Sequence, residues 1–259
     1  MRRAAIVVPC FNEERRLDAD AYVRFVEAYP PGAPLEVAIV FVDDGSTDGT
    51  ARVLQAIAAR APRSFRVLTQ RPNQGKAEAV RKGILDVLSR ASGRDALDAV
   101  GFWDADLATP LTELPAFVEV LEKNPGIDVV LGSRVKLMGR TIDRRPWRHY
   151  MGRIFATAAS MALELPIYDT QCGAKLFRVT DWTARLFAEP FVAKWVFDVE
   201  LIARILRVHP GPPRTGARSI YELPVSTWAD VGGSKLKSTD FAAAALDLAK
   251  IRLRYPRRS

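Results

Sequence analysis

Asp104 and Asp106 stand one residue apart in GFWDADLATP (101–110), where an apolar run ends on two like charges. If the chain is extended there, both side chains share a face and Ala105 points away. Carboxylates that close repel unless a proton or a cation lies between them. A hard divalent ion such as Mg²⁺ or Mn²⁺ takes carboxylate oxygens and completes its shell with water and substrate phosphate. An ion held this way neutralises the charge that leaves with a nucleotide diphosphate. The pair alone also reads as a turn cap, because Asp starts turns routinely; its position directly after an apolar strand favours the metal.

Other polar residues end apolar runs in the same manner. Asn12 and Glu13 follow AAIVVP (4–9), Asp43 and Asp44 close EVAIVFVDD (36–44), and Arg134 follows IDVVLGS (127–133). FRVLT (65–69) and DAVGFWDAD (98–106) complete the set of Val-, Ile- and Phe-rich runs expected to be strands. Between them, Val53, Leu54, Ile57, Ala58 and Ala61 recur at helical spacing in a segment running from Ser46 to Ala61. Val80, Ile84, Val87, Leu88 and Ala91 form a stripe in the segment from Lys76 to Ala91. Alternating strands and helices predict an α/β fold, a Rossmann-like, mostly parallel sheet with helices on both faces. Ligands of such sheets bind beyond the carboxyl ends of the strands, where strand order reverses, so the polar strand ends should converge on one site.

After residue 135 the alternation stops. RTIDRRPWRHYMGRIF mixes arginines, Arg144, Arg145, Arg148 and Arg153 among them, with Trp147, Tyr150 and Phe155, and an apolar helix is expected around Ala156 to Leu165. Further on come YDTQCGAKLFR, a helix-like WVFDVELIARILR, a strand-like SIYELPV and a Gly-Lys loop, ADVGGSKLKSTD. No repeat or long linker divides the chain, so a single domain over 1–259 is expected, with a nucleotide-binding half (1–135) and an elaborated half (136–259).

The chain has 259 residues, 48% hydrophobic and 26% charged, which is globular composition rather than disorder. Its net charge of +8 points to an anionic partner or to solubility alone. A nucleic-acid-binding protein would rest on that charge only, since no recognition helix, RNA-binding aromatic signature or zinc spacing accompanies it. Cys10 and Cys172 lack CxxC spacing and read as buried thiols of a reducing compartment. His149 and His209 are too scattered to suggest ligation. No run reaches the ~20 apolar residues of a membrane span, and MRRAAIVVPCFNEE makes a poor signal peptide because Pro9 and acids follow its short apolar stretch.

In order and spacing, VVPCFNEE, FVDDGSTDGT, NQGKAEAVRKGI, WDADLATP and VVLGSR resemble the successive motifs of family 2 inverting glycosyltransferases of the GT-A fold. DTQCGAKLF (169–177) and WVFDVELI (195–202) are similar to the polyprenyl-phosphate branch, especially dolichyl-phosphate glucosyltransferases, with dolichyl-phosphate mannose synthases as close relatives.

The resemblance implies a role for each stretch. Pro9, Asn12 and Glu13 would contact the nucleoside, as would Asp43 or Asp44, and Lys76 would stand near the nucleotide. Asp104 and Asp106 fall on the DxD motif, which implies Mg²⁺ or Mn²⁺ bridging them to the donor diphosphate. Mannose synthases often carry Gln two residues beyond the second Asp; Ala108 stands there, which favours glucose. Asp169 and Gln171 would line the sugar pocket. Arg134, with Arg145 and Arg148 from the basic cluster, would bind acceptor phosphate, since guanidinium pairs with phosphate bidentately. Asp198 is the candidate base or acceptor-orienting carboxylate, with Glu200 as competitor.

The implied reaction moves a hexose, glucose from UDP-glucose, onto a polyprenyl phosphate at the cytoplasmic face of a membrane. Mannose from GDP-mannose and a soluble glycan acceptor are the alternatives. The basic aromatic segment and the terminal KIRLRYPRRS would supply peripheral membrane contact, the latter as an anchor or as a solvated tail.

Overall fold

The computed structural model describes residues 1–91, 93, 96–143, 146–210, 215–231 and 239–256. All five expected strands form: β1 (Arg3–Cys10), β2 (Glu36–Asp43), β3 (Phe65–Thr69), β4 (Ala99–Trp103) and β5 (Val129–Ser133). Alternate residues of β1 serve two cores, Ala5 and Val7 on one face of the sheet and Ala4, Ile6 and Val8 on the other. A strand buried on both faces therefore reads as a continuous apolar run.

The central sheet also takes in β7 (Ala174–Arg178) and β8 (Ile220–Pro224), in the order β3-β2-β1-β4-β7-β5-β8. β7 runs antiparallel to both β4 and β5, and the remaining pairs are parallel. β6 (Thr141–Asp143) and β9 (Thr227–Ala229) form a small parallel ladder of their own. Strand order reverses at β1, which has β2 on one side and β4 on the other, so the crevice beyond their carboxyl ends faces Asn12 and Asp104. The second half of the chain is built into the sheet rather than appended to it.

One face carries α1 (Ala19–Ala28), α2 (Thr50–Arg60) and α4 (Leu114–Lys123), whose Tyr22, Leu54 and Phe117 pack over the strands. The other carries α3 (Lys76–Arg90), α5 (Pro146–Leu163), α6 (Thr183–Phe187), α7 (Phe197–Val208) and α9 (Thr239–Arg254), with Ile84, Ala159, Phe187, Ile202 and Leu248 in its core; α8 (Thr215–Arg218) is a short turn before β8. Gly83 lets α3 lie close on β1, because a Cβ there would collide with Val7.

Several boundaries differ from the sequence expectation. α2 starts at Thr50 rather than Ser46, because Ser46 and Asp48 accept N–H bonds from Asn12 (3.1 Å) and Glu14 (3.3 Å) and so form the turn that ties β2 to the loop after β1. α5 begins ten residues before the expected Ala156, opened by Pro146, whose missing N–H costs nothing at a first helical position. The tail reading of KIRLR fails: α9 extends through Arg254 and buries Ile251 against the core. Cys10 and Cys172 are buried free thiols, and burial pushes both above their ordinary values.

Candidate active site

The loop after β1 is a stitched turn. Asn12 adopts a left-handed backbone (φ 54°), its Oδ1 accepts the Thr47 N–H at 2.8 Å, and the Glu13 N–H donates to Thr50 Oγ1 at 2.8 Å. These bonds fix Pro9 to Glu13 against the start of α2.

At the end of β2 the two aspartates divide their work. Asp44 accepts from Asn73 Nδ2 (2.8 Å), Gln74 N (2.8 Å), Gly75 N (2.7 Å) and the Gln70 side chain. Its carboxylate is thus occupied in folding the 70–75 loop, and it positions α3 and Lys76 rather than facing a ligand. Asp43 accepts one bond, from Ser46 N at 3.1 Å, and its Oδ2 is buried without a hydrogen bond. Buried polar atoms are ordinarily paired, so Asp43, unlike Asp44, keeps a carboxylate oxygen open to a donor from a ligand.

The DAD stretch is not extended. β4 ends at Trp103, Leu107 N closes a turn on Asp104 O at 3.2 Å, and Leu107 is left-handed (φ 51°). Ala105 is buried and Tyr22 Oη donates to its carbonyl at 3.1 Å, which anchors the turn from below. The turn-cap reading holds for Asp106, whose Oδ1 accepts the Ala108 N–H at 3.1 Å.

Each carboxylate of the pair has a protein cation beside it. Lys76 Nζ lies 2.5 Å from Asp104 Oδ1, and Arg16, which also pairs with Glu13, binds Asp106. Desolvation in the cleft works to deprotonate Lys76, but Asp104, then Asp198 and Asp106, outweigh it and raise the ammonium above its ordinary value. Lys76 is therefore electrostatically coupled to three of the expected catalytic acids.

The two carboxylates fit a hard divalent cation. Asp104 Oδ1 is buried with a positive charge against it, and Gly173 stands where any Cβ would drive into Asp104 Oδ2. Among the described residues, no group of three or more His, Cys, Asp or Glu gathers for a metal. A hard ion held by this pair would complete its shell with water and phosphate oxygens.

Arg134 and Asp169, expected on opposite sides of the reaction, are partners. Arg134 Nε and Nη2 bind Asp169 Oδ2 and Oδ1 at 2.7 and 2.8 Å, and Arg134 N donates to Oδ2 at 3.0 Å. Burial opposes the charge on Arg134, but Asp169 holds the guanidinium above its ordinary value. Gln171 N donates to Asp169 Oδ1 at 3.1 Å, while Glu222 on β8 accepts the Tyr168 and Asp169 N–H groups at 2.9 Å each. Arg134, Asp169 and Gln171 line one small open cleft with Arg153 and Tyr168, where the Arg153 guanidinium lies 3.9 Å from the Tyr168 ring centre.

The remaining members of the basic cluster cannot be assigned contacts. Arg144 and Arg145 lie outside the described residues, as do residues 232–238 of the Gly-Lys loop, and for Trp147, Arg148, His149 and Tyr150 only their place in α5 is described. Phe155 does not belong to a surface aromatic belt; it turns inward, edge-to-face with Trp195 at 6.1 Å. His209 is a packing residue, against Trp182 and 3.3 Å from Asp128.

Asp198 and Glu200 differ in their contacts. Glu200 is fully buried, accepts from Arg204 (2.8 Å), Tyr255 Oη (2.9 Å) and Ala193 N (2.8 Å), and holds α7 to the segment after α6. Asp198, in the first turn of α7, pairs with Lys175 at 2.7 Å and contributes to the field on Lys76. Lys175 is itself fully buried and donates to Cys172 O at 2.6 Å.

Sequence reasoning missed Lys175 and Arg16 as site residues. A lysine inside AKLF, otherwise apolar, was a signal for the first; Arg16, ninety positions from Asp106, gave none.

Comparison with known proteins agrees with this arrangement. Residues 5–182 match the profile of Glycosyl transferase family 2. The chain is similar to a dolichyl-phosphate beta-glucosyltransferase of Trichomonas vaginalis, at 32% identity over 96% of this chain and 70% of that protein. It is also similar to the Homo sapiens dolichyl-phosphate beta-glucosyltransferase, at 32% identity over 98% and 76%. In structure it resembles glucosyl-3-phosphoglycerate synthase of Mycobacterium tuberculosis, crystallised with Mn²⁺, UDP-glucose and phosphoglyceric acid, with a TM-score of 0.65 and 19% identity over 98% and 79%. The sheet with its carboxylate pair at the β1–β4 crevice is a GT-A fold, and the chain belongs to glycosyl transferase family 2.

Proposed function

We propose that the chain transfers glucose from UDP-glucose to a polyprenyl phosphate of the dolichyl type, with inversion, as a peripheral protein on the cytoplasmic face of a membrane. Near-full-length similarity to dolichyl-phosphate beta-glucosyltransferases supports the sugar and the acceptor class. The observation that carries the reading is the cleft beside the Asp104–Asp106 turn, where Arg153 stands next to an Arg134 that Asp169 holds in place, which gives an anionic acceptor a berth next to a donor diphosphate.

The two halves of the chain divide the work. In residues 1–135, the Asp43 Oδ2 atom takes a hydrogen bond from the nucleoside, and Pro9, Asn12 and Glu13 shape the wall against it. Asp104 and Asp106 would hold Mg²⁺ or Mn²⁺, which neutralises charge on the departing diphosphate. Lys76 adds a second positive charge at that end. In residues 136–259, Arg153 binds the lipid phosphate together with Arg134, and Arg145 and Arg148 are the further arginines assigned to that phosphate from the sequence. Asp169 holds the Arg134 fork, and Gln171 stands beside it toward the sugar.

A lipid phosphate oxygen is already an anion at neutral pH, so attack on the anomeric carbon needs orientation more than proton removal. Asp198, held by Lys175, serves that orientation from the start of α7.

A donor screen with UDP- and GDP-sugars, polyprenyl phosphate and Mg²⁺ or Mn²⁺ tests the proposal. Lipid-linked β-glucose from UDP-glucose is expected. Product from GDP-mannose instead, or transfer confined to soluble acceptors, overturns it.

A further inference from the structure

Leu246 and Leu253 project from α9 with 64% and 83% of their surface exposed, and Ile154 and Met161 project from α5 with 64% and 63%. Each pair is seven residues apart, so each lies along one stripe of its helix. α5 packs against α9, and Arg252 of α9 reaches Glu164, just past the end of α5, at 3.6 Å. The two stripes therefore sit on neighbouring helices.

The inner side of α9 is accounted for by Ala244, Leu248 and Ile251, all buried in the core. Its outer side is where a surface helix ordinarily carries polar residues. Here that side presents Ala245, Leu246, Ala249 and Leu253. Among its described side chains the exposed charges are Lys250, Arg252 and Arg254, all basic, whereas Asp247 is buried against Lys250. Apolar side chains ringed by basic ones, with no helix long and apolar enough to span a bilayer among the described residues, are the pattern of a segment lying in a membrane interface.

We propose that the α5–α9 face docks on an anionic membrane surface, with the four apolar side chains at the headgroup boundary and Lys250, Arg252 and Arg254 on lipid phosphates. Charge complementarity selects the occupant: a second copy of this chain, at net charge +8, would set like charges against these residues. Ile154 adjoins Arg153 in sequence, so the docked face borders the cleft assigned to the acceptor phosphate. The inference rests on the proposed lipid acceptor for its purpose, but not for the binding itself.

Co-sedimentation with phosphatidylcholine vesicles, with and without phosphatidylglycerol, tests it on the full chain. Wild type is expected to bind the anionic vesicles, Leu246→Glu/Leu253→Glu to lose about tenfold or more in affinity, and Lys250→Glu/Arg252→Glu to lose its preference for phosphatidylglycerol. Transfer to a short-chain, detergent-soluble polyprenyl phosphate should stay at the wild-type rate in both variants, which excludes misfolding as the cause. Absence of wild-type binding overturns the proposal, as does equal binding by Leu246→Glu/Leu253→Glu or a dimer in light scattering that this variant breaks. Vesicle binding without transfer to any polyprenyl phosphate leaves the docking face standing and removes the acceptor assignment alone.

Discussion

Lys76 Nζ lies 2.5 Å from Asp104 Oδ1, so the carboxylate that the family pattern gives to a metal already has a cation beside it, and Arg16 does the same for Asp106. A divalent ion entering without nucleotide must displace both. Lys76→Met removes one competitor, and Mn²⁺ affinity of the nucleotide-free protein, measured by the paramagnetic signal of free Mn²⁺, should rise about tenfold, worth about 1.4 kcal/mol. Turnover should fall in the same variant, because the positive charge at the diphosphate end is gone. A weaker Mn²⁺ affinity would show that Lys76 helps the ion rather than competing with it.

Gly173 supports the pair from behind. A methyl group there overlaps Asp104 Oδ2, so Gly173→Ala should force the carboxylate aside and lower transfer about 100-fold, with thermal unfolding close to wild type. Asp104→Asn and Asp106→Asn should lose activity to at least the same degree. Full activity in Gly173→Ala would mean that Asp104 is not used in the position described.

Asp198 and Glu200 separate into different failures. Glu200→Ala strips Arg204 of its buried partner and should cost about 3–5 kcal/mol of stability in denaturant unfolding, while the molecules that remain folded keep their turnover. Asp198→Asn should lower turnover instead, and Lys175→Met should reproduce part of that loss, because Asp198 then has no tether. An unstable Asp198→Asn with normal turnover would reverse the assignment.

Acid sensitivity is expected from Asp98, away from the site. Burial raises its carboxyl, but the N–H groups of Arg2 (2.6 Å) and Arg3 (3.0 Å) outweigh that and leave it below its ordinary 3.8. A folded value below the unfolded one gives stability that is fully present above about pH 4 and lost as pH falls through the folded value. Because Asp98 is exposed, solvent screening leaves Asp98→Asn a loss of only about 0.3 kcal/mol at pH 7, and its unfolding midpoint should converge with that of wild type in stronger acid. A constant difference down to pH 2 would exclude the carboxylate as the cause.

How much of this was legible in the sequence depends on distance along the chain. β1, β2, β4 and β5 were readable because burial on both faces leaves little polar alternation to obscure them, while the part-exposed edge strand β3 showed only as a short Val- and Phe-containing run, and the crevice followed from where those runs end. β7 was not: AKLFR is short and carries a lysine, and its neighbours β4 and β5 are found only in three dimensions. The DAD turn was misread as extended because its geometry comes from Gly173 and Tyr22, both distant in sequence. The arginine of GSR was readable as a cation but its Asp169 partner was not, since the two sit 35 positions apart. α9 escaped notice because apolar side chains (Leu246, Leu253) stand among the exposed basic ones on its outer face and blur the polar stripe by which amphipathic helices are recognised.

β7 enters the sheet between two strands made much earlier, with its polarity reversed. A nascent chain that has reached only residue 173 thus holds β4 and β5 with no neighbour between them, two open edges in the middle of the future sheet. Such edges invite pairing with other chains. Residues 1–135 should therefore aggregate when expressed alone, and the sheet becomes a finished scaffold only after synthesis has passed Pro224 of β8.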